Sequence, residues 1–325
     1  MSPAPTKIDF MSSNNSNRNP VYSQGVLVDL PLTPKPFLRW AGGKRKLAPI
    51  IEDLFPINFN SSKNYFYEPF VGGGALNFYL GNRNVKNFID GTNLVINDIN
   101  PDLMITYQVV KNSVEELITA LERLSKNLSK TAFENIKTYK PKTDVNKAAR
   151  FIYLNKTCFN GLWRVNSKGE FNVPWGKLKN PKIFDANELR LASKRFKGAK
   201  IRNVNYTTAV QDASRGDLVY FDPPYIPLSL SSSFSKYAKD DFGKMDHYAL
   251  SGVIEGLTSK GVHVILSNSD TPQTREIYGS ILDLRQIEVQ RSISASASSR
   301  VIVKEILGVN FPVAKQSIFS NLKVG

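Results

Sequence analysis

One cysteine, Cys158, and two histidines, His247 and His263, are all that 325 residues contain of these types. A single cysteine excludes an internal disulfide framework and a cysteine-rich zinc site. The histidines lie far from Cys158 in sequence, so a Cys/His nucleophile pair or a zinc hydrolase centre lacks its ingredients. His263 stands in the apolar stretch Gly261-Val262-His263-Val264-Ile265-Leu266 and reads as a strand residue. No P-loop Gly-Lys-Ser/Thr pattern occurs, which argues against nucleotide hydrolysis by that route. Apolar runs such as Val262 to Leu266 are far too short to span a bilayer. The segment Met1 to Pro20 is polar and lacks the apolar region of a secretory signal. The expectation is a soluble cytoplasmic protein with neither a metal site nor a membrane partner.

What is abundant is positive charge: 43 Lys and Arg against 28 Asp and Glu, a net +15. Such an excess favours a polyanionic partner, because neutralising phosphates releases their counterions. With 41% hydrophobic residues the chain can bury a sizeable core, enough for one large α/β domain and a smaller insert.

Residues 1–35 are rich in Ser, Asn and Pro and read as a flexible extension. Folded sequence begins near Phe37. Asn64 to Phe70 predicts a strand running into the glycine turn Phe70-Val71-Gly72-Gly73-Gly74, and Leu94 to Ile96 a second strand closed by Asn97-Asp98. Asn100 can cap a helix starting at Pro101. Its apolar residues Leu103, Tyr107, Val110, Val114, Leu117, Leu121 and Leu124 keep helical steps of three and four. Asp144 to Phe159 predicts another helix, and Asn160 to Trp175 a hairpin turning at Ser167-Lys168-Gly169. Then come strand Asp217 to Phe221, helix Asp246 to Ser259, strand Val262 to Leu266, and two late strands, Arg285 to Arg291 and Val301 to Phe311. This alternation predicts a doubly wound α/β sheet with a module inserted at 105–195, between 36–104 and 196–325.

Glycines after a strand let the backbone approach a ligand, and Asp98 places an acid at the end of the next strand, where ribose hydroxyls are bound in nucleotide-type folds. Either feature alone could be a structural turn; together they point to an adenosine-containing cofactor. Asp222-Pro223-Pro224-Tyr225 is the most specific feature. The prolines make a rigid turn without backbone donors, while their carbonyls remain acceptors. A carboxylate and a proline carbonyl can hold both hydrogens of an amino group and aim its lone pair away from the ring. Tyr225 offers a face for a base to stack on.

The chain resembles the Dam-type, alpha-class adenine-N6 DNA methyltransferases from about Phe37 to Phe311. The likeness rests on Phe37-Leu38-Arg39-Trp40-Ala41-Gly42-Gly43-Lys44, Glu68-Pro69-Phe70-Val71-Gly72-Gly73-Gly74, Asn97-Asp98-Ile99-Asn100 and Asp222-Pro223-Pro224-Tyr225, in that order. Phe159-Asn160-Gly161-Leu162-Trp163-Arg164-Val165-Asn166, continuing through Gly169 to Gly176, is similar to the family's GATC-recognition hairpin. Arg291-Ser292-Ile293-Ser294 and Arg300 resemble its late motif. The resemblance implies a Rossmann-like methyltransferase sheet with a target-recognition insert of helices plus a β-hairpin, a nucleoid-associated enzyme acting on double-stranded DNA, and S-adenosyl-L-methionine as cofactor. It implies Trp40, Lys44, Phe70, Gly72, Asp98, Asn205 and Tyr206 at the cofactor, and Asp222, Pro223 and Tyr225 at the reacting amino group. It implies Arg39, Phe159, Asn160, Leu162, Arg164, Pro174, Arg291 and Arg300 at DNA, with Arg39 on the outer guanine. One departure is Asn205-Tyr206, where the family often carries Asp-Phe: Asn205 can hydrogen-bond but carries no charge.

Read directly, Arg164 can make a bidentate contact with guanine O6 and N7, and Phe159 can wedge a base step. The adenine amino group is buried in duplex DNA, so base flipping is expected. Two rivals differ in kind: an N4-cytosine methyltransferase, whose usual pattern is Ser-Pro-Pro-Tyr rather than an acid at Asp222, and a DNA-binding module without catalysis, against which the acid, tyrosine and glycine turn all speak.

Overall fold

Short, fully buried apolar runs build the centre of the sheet. In the computed structural model, Phe66–Glu68 (β3), Leu94–Asn97 (β4) and Leu218–Phe221 (β6) are buried at every position, as parallel strands covered on both faces must be. The structure describes residues 21–23, 26–28, 34–40, 42, 44–81, 91–227, 242–292, 300–313 and 323–324. Met1–Thr33 forms a unit of its own, in which Val21–Ser23 (β1) and Val26–Val28 (β2) pair antiparallel; the rest of the expected extension up to Thr33 lies outside the described residues.

Lys200–Arg202 (β5), β4, β3, β6 and His263–Ser269 (β7) form a parallel core in that order. Arg300–Val309 (β9) joins β7 antiparallel, followed by Asp283–Ser292 (β8) and the two-residue Lys323–Val324 (β10). The chain leaves β3, runs outward through β4 and β5, and then starts β6 on the other side of β3. The carboxyl ends of β3 and β6 therefore flank the topological switch point, where open α/β sheets bind ligands. Both faces are covered. Phe66 and Leu94 pack in one core cluster, and their neighbours Tyr67 and Val95 in the other.

Ten α-helices are present among the described residues. Ala48–Asp53 (α1) and Ala75–Gly81 (α2) precede β4. Asn100 accepts from the Leu103 N–H at 3.2 Å and caps Pro101–Asn112 (α3), as expected. The helical periodicity beyond it belongs to a second helix, Val114–Ser125 (α4). Ser113, at φ −145° and ψ 45°, turns the chain between them, and side-chain spacing alone does not register such a break. Lys130–Thr138 (α5), Asp144–Thr157 (α6) and Ala186–Phe196 (α7) follow. Helix α6 stops two residues before Phe159, because Cys158 adopts an extended backbone and begins the hairpin. Tyr206–Ala209 (α8), Lys244–Ser259 (α9) and Pro272–Tyr278 (α10) complete the set.

Register aligns the functional ends. Leu94, Phe66, Leu218 and His263 pair in one row, so four residues further on the chain reaches Asp98, Phe70, Asp222 and Ser267. Asp98 and Asp222 thus stand directly after β4 and β6, Phe70 in the turn after β3, and Ser267 within β7, all towards the carboxyl edge of the parallel strands.

Candidate functional site

The glycine turn after β3 is tied to the end of β4 by side chains. Asp98 accepts from Gly72 N–H at 3.1 Å with Oδ2 and from Asn100 N–H at 3.0 Å with Oδ1. Burial pushes its carboxyl above the ordinary value, while the N–H groups of Asn100, Gly72 and Ile99 pull it back. Asn97 fastens the same turn, donating from Nδ2 to the Pro69 and Val204 carbonyls at 3.0 and 3.1 Å. Gly72 has φ +47°, and a Cβ there would meet Trp40 Nε1 at 2.7 Å. Trp40 therefore lies directly against the turn, with Phe151 of α6 stacked on it at a centroid distance of 6.4 Å. Ala41 and Gly43, beside it in the N-terminal motif, lie outside the described residues.

Above the turn, Phe70 packs with Tyr206 at 5.4 Å and with Phe242 at 5.7 Å, edge to face. Phe70 and Tyr206 are both only half-buried. Asn205 is exposed, and its Oδ1 caps α8 by accepting from Thr207 N–H at 2.9 Å. The amide thus works on its own backbone, where a charged residue was the family's pattern.

Asp222 follows directly from β6. Lys44 Nζ lies 2.9 Å from Asp222 Oδ1, and Ser267 Oγ donates to the same oxygen at 2.8 Å. Burial raises the Asp222 carboxyl, and Lys44 and Ser267 oppose it. Lys44 also donates to the Gly42 carbonyl at 3.0 Å and sits over the Tyr225 ring, 4.4 Å from its centroid. It was expected at the cofactor; the structure places its ammonium on the acid. Tyr225 donates to Glu305 Oε2 at 2.8 Å. Tyr220 and Ser267 share a hydrogen bond of 2.9 Å. Pro223 is buried and Pro224 exposed, and the Ile226 N–H is held by Asn268 Oδ1 at 3.1 Å.

Beneath this corner lies Glu68, 3% exposed, with no hydrogen-bond partner at Oε2 among the described residues. Burial, and then the charge of Asp222, push its carboxyl up to about 8, with Arg195 pulling the other way. Cys158 is buried, its thiol pushed up to about 11 by burial and its Sγ directed to the Leu162 carbonyl at 3.2 Å. It is no nucleophile.

The expected hairpin forms, as an antiparallel excursion with bridges Cys158↔Trp175 and Val165↔Phe171. Asn166 N–H donates to the Glu170 carbonyl at 2.9 Å and Asn172 N–H to that of Arg164 at 3.0 Å. Its base is aromatic: Trp163 is wedged between Phe151 at 4.0 Å and Phe171 at 4.7 Å. Its outer surface carries Phe159, 51% exposed, and Leu162, 40% exposed. Arg164 is exposed and rests on the neutral amide of Asn172, with Nε 2.7 Å from Oδ1. Asn160 takes φ +54°, and Pro174, also exposed, accepts from Phe159 N–H at 2.9 Å. Arg39 stands beside this turn, and the nearby Lys156 is pushed down to about 8 by burial and then by the Arg39 charge. Arg291 and Arg300 belong to the β8–β9 ladder, where Arg291 pairs Val301 and Ser292 pairs Arg300; their side chains lie outside the described residues.

Sequence reasoning missed Ser267, Glu305, Glu68, Phe242 and Asn155. Ser267 was signalled by the polar run Ser267-Asn268-Ser269 closing an apolar strand, and Glu305 by a lone acid inside one.

A family model described as D12 class N6 adenine-specific DNA methyltransferase matches residues 40–293. The chain is 39% identical over 285 residues to Type II methyltransferase M1.LlaDCHI of Lactococcus lactis subsp. cremoris, covering 85% of this chain and 95% of that one. To Type II methyltransferase M.MjaIII of Methanocaldococcus jannaschii it is 39% identical over 295 residues, covering 85% and 99%. The DNA adenine methylase of Haemophilus influenzae is 34% identical over 284 residues, covering 86% and 94%.

Proposed function

The chain belongs to the D12 class of N6 adenine-specific DNA methyltransferases, and we propose that it methylates adenine N6 in GATC within double-stranded DNA, using S-adenosyl-L-methionine and turning the target base out of the helix. The observation that carries this reading is that the carboxyl ends of the parallel strands β4, β3, β6 and β7 bear both the glycine turn braced by Asp98 and the Asp222 carboxylate held by Lys44 and Ser267.

S-adenosyl-L-methionine supplies a methyl group on a sulfonium, already activated for transfer. The residues present fit it: a glycine turn with positive φ, a half-buried carboxylate at Asp98 for ribose hydroxyls, and half-buried rings at Phe70 and Tyr206 for the purine. Gly72 and Trp40 shape the turn, and Asn205 acts through the cap of α8.

For the target base, Tyr225 provides the stacking face and Glu305 holds its hydroxyl. Asp222 Oδ1 is engaged by Lys44 and Ser267, so Oδ2 and the Pro223 carbonyl accept the two amino hydrogens. Holding both hydrogens directs the nitrogen lone pair towards the methyl donor, and the carboxylate stabilises the positive charge that grows on the amino group. Duplex DNA buries that amino group by pairing and stacking, hence the flipped base. Residues 105–195 act as the target-recognition region: Arg164 reads a guanine, Phe159, Asn160, Leu162 and Pro174 fill the groove side of the hairpin, and Arg39 reads the outer guanine of the site. Arg291 and Arg300 contact DNA from the β8–β9 ladder.

The test is to methylate unmodified plasmid DNA with the purified enzyme and map the modified bases at single-nucleotide resolution. N6-methyladenine confined to GATC is the expected result. Methylation of adenine in another sequence would overturn the GATC assignment.

A further inference from the structure

One buried polar side chain lies between the two segments that carry the proposed guanine readers. Asn155 sits on α6 with no exposure to solvent, next to Leu154 and near Phe151 and Ile152, all equally buried. Its Oδ1 accepts from Arg39 N–H at 2.8 Å, and its Nδ2 donates to the Arg39 carbonyl at 2.7 Å. The second Nδ2 hydrogen goes to the Gly161 carbonyl at 3.0 Å. The amide thus treats Arg39 as a neighbouring strand would, meeting both its backbone groups, and joins it to the turn Phe159–Gly161 at the base of the hairpin. Gly161 completes the joint from the other side. Its φ is +65°, and a Cβ there would meet Arg39 Cβ at 2.5 Å and Cδ at 2.9 Å.

An apolar residue would fill this place in the helix core without three directional bonds to meet. A buried amide is tolerated when its partners are matched, and it then fixes geometry rather than adding bulk stability. Arg39 is linked to Asn155 across 116 residues of sequence, so the amide is a long-range strut. GATC carries one guanine in each of its two outer base pairs, on opposite strands, and Arg39 and Arg164 are two guanidinium forks available for them. A fork reads a guanine only when both its hydrogen bonds align. Two forks must therefore be held at a fixed spacing.

We propose that Asn155 is a positioning residue for sequence reading, locking Arg39 to the base of the hairpin so that both outer base pairs of the site are read in register. This rests on the proposed role of Arg39 and Arg164 at guanines.

The test uses the full chain and duplexes whose one strand already carries N6-methyladenine, so that only one orientation is read, and compares kcat/KM on GATC with kcat/KM on duplexes altered at the first or the fourth base pair. The ratio of the two is taken on one preparation, so loss of folded protein cancels. Arg39→Ala and Arg164→Ala should each relax one outer pair, by about tenfold. Asn155→Leu and, by an independent route, Gly161→Ala should relax both pairs by a similar factor. If either arginine variant leaves both ratios unchanged, the base-reading assignment fails and the inference falls with it. If the arginine variants behave as expected but Asn155→Leu and Gly161→Ala keep wild-type ratios, or relax one pair alone, the assignment of the arginines stands and the strut is refuted. Should Asn155→Leu not fold, Gly161→Ala decides between these results.

Discussion

Replacing Asp222 by alanine removes the acceptor assigned to the adenine amino group and, with it, the counter-ion of Lys44. The two losses have different sizes. A positioned electrostatic or proton-handling group contributes about 10²–10⁴-fold to a rate, so methyl transfer should fall by that factor, about 3–5 kcal/mol of barrier. Stability falls for another reason. Lys44 is 7% exposed and its Nζ is 2.9 Å from Asp222 Oδ1, so the variant leaves a buried ammonium without its carboxylate. Breaking a fully buried pair costs about 3–5 kcal/mol. Here Asp222 is 19% exposed, and Lys44 keeps the Gly42 carbonyl and the Tyr225 ring, which lowers the expected cost to about 1–3 kcal/mol. Adding Lys44→Met to Asp222→Ala should recover much of the melting temperature and none of the activity. Single-turnover transfer of labelled methyl to an unmethylated duplex, alongside thermal melts of both variants, separates the effects. Turnover within tenfold of wild type in a folded Asp222→Ala enzyme would refute the assigned role. A double variant no more stable than the single one would refute the ion-pair argument.

Asp98→Ala should weaken S-adenosyl-L-methionine binding by about 1.5–3 kcal/mol, the range for hydrogen bonds to a charged group; unchanged affinity by calorimetry would leave Asp98 as a brace for Gly72 alone. Arg164→Ala should cost about 1–3 kcal/mol of discrimination at one guanine while changing the salt slope of non-specific binding by no more than about one unit; equal rate loss on every sequence would make it a phosphate anchor. Glu68 is held up near 8 against an ordinary 4.5, so its contribution to stability is full below about pH 4.5 and is lost as pH rises through 8. Glu68→Gln is neutral throughout, so its stability advantage in urea melts should widen from pH 5 to pH 9, and a constant difference would contradict the assigned ionisation. His247, buried and bonded to the Tyr278 hydroxyl at 2.8 Å, is pushed down to about 4. Its contribution is present above about pH 6.5 and declines as pH falls towards 4, by about 2 kcal/mol at pH 5; a His247→Gln protein with the same acid slope as wild type would disprove it.

The elements that could be read from the sequence are those whose local pattern is also their tertiary role. β3, β4 and β6 are apolar at nearly every position because both faces are covered, and α3 begins where Asn100 and Pro101 say it should. What escaped was set by long-range packing. The spacing from Leu103 to Leu124 stays helical across two helices, because α3 and α4 both pack their apolar faces on α6, and only the backbone of Ser113 separates them. Lys130–Thr138 has one fully buried residue, Phe133, too little periodicity to announce a helix.

The site divides in the same way. Asp98, Asp222 and Tyr225 lie within short motifs whose chemistry can be argued from neighbouring residues. Ser267 and Glu305 show in the sequence only as polar residues in apolar strands, and their partners cannot be read there because strand register sets them. Ser267 sits on β7 beside Asp222 in the row that starts at His263 and Leu218, and Glu305 is carried to Tyr225 by the antiparallel pairing that sets it opposite Ser269. Yet these hidden residues orient the visible ones. The Ser267 hydroxyl has one proton and gives it to Asp222 Oδ1, so Tyr220 must be the donor in its bond to Ser267. The chain of donors therefore runs from the sheet interior outward, Tyr220 to Ser267 to Asp222. With Lys44 on the same oxygen, Oδ1 is held by two groups of the protein, and in the proposed reaction Oδ2 is the acceptor for the amino group.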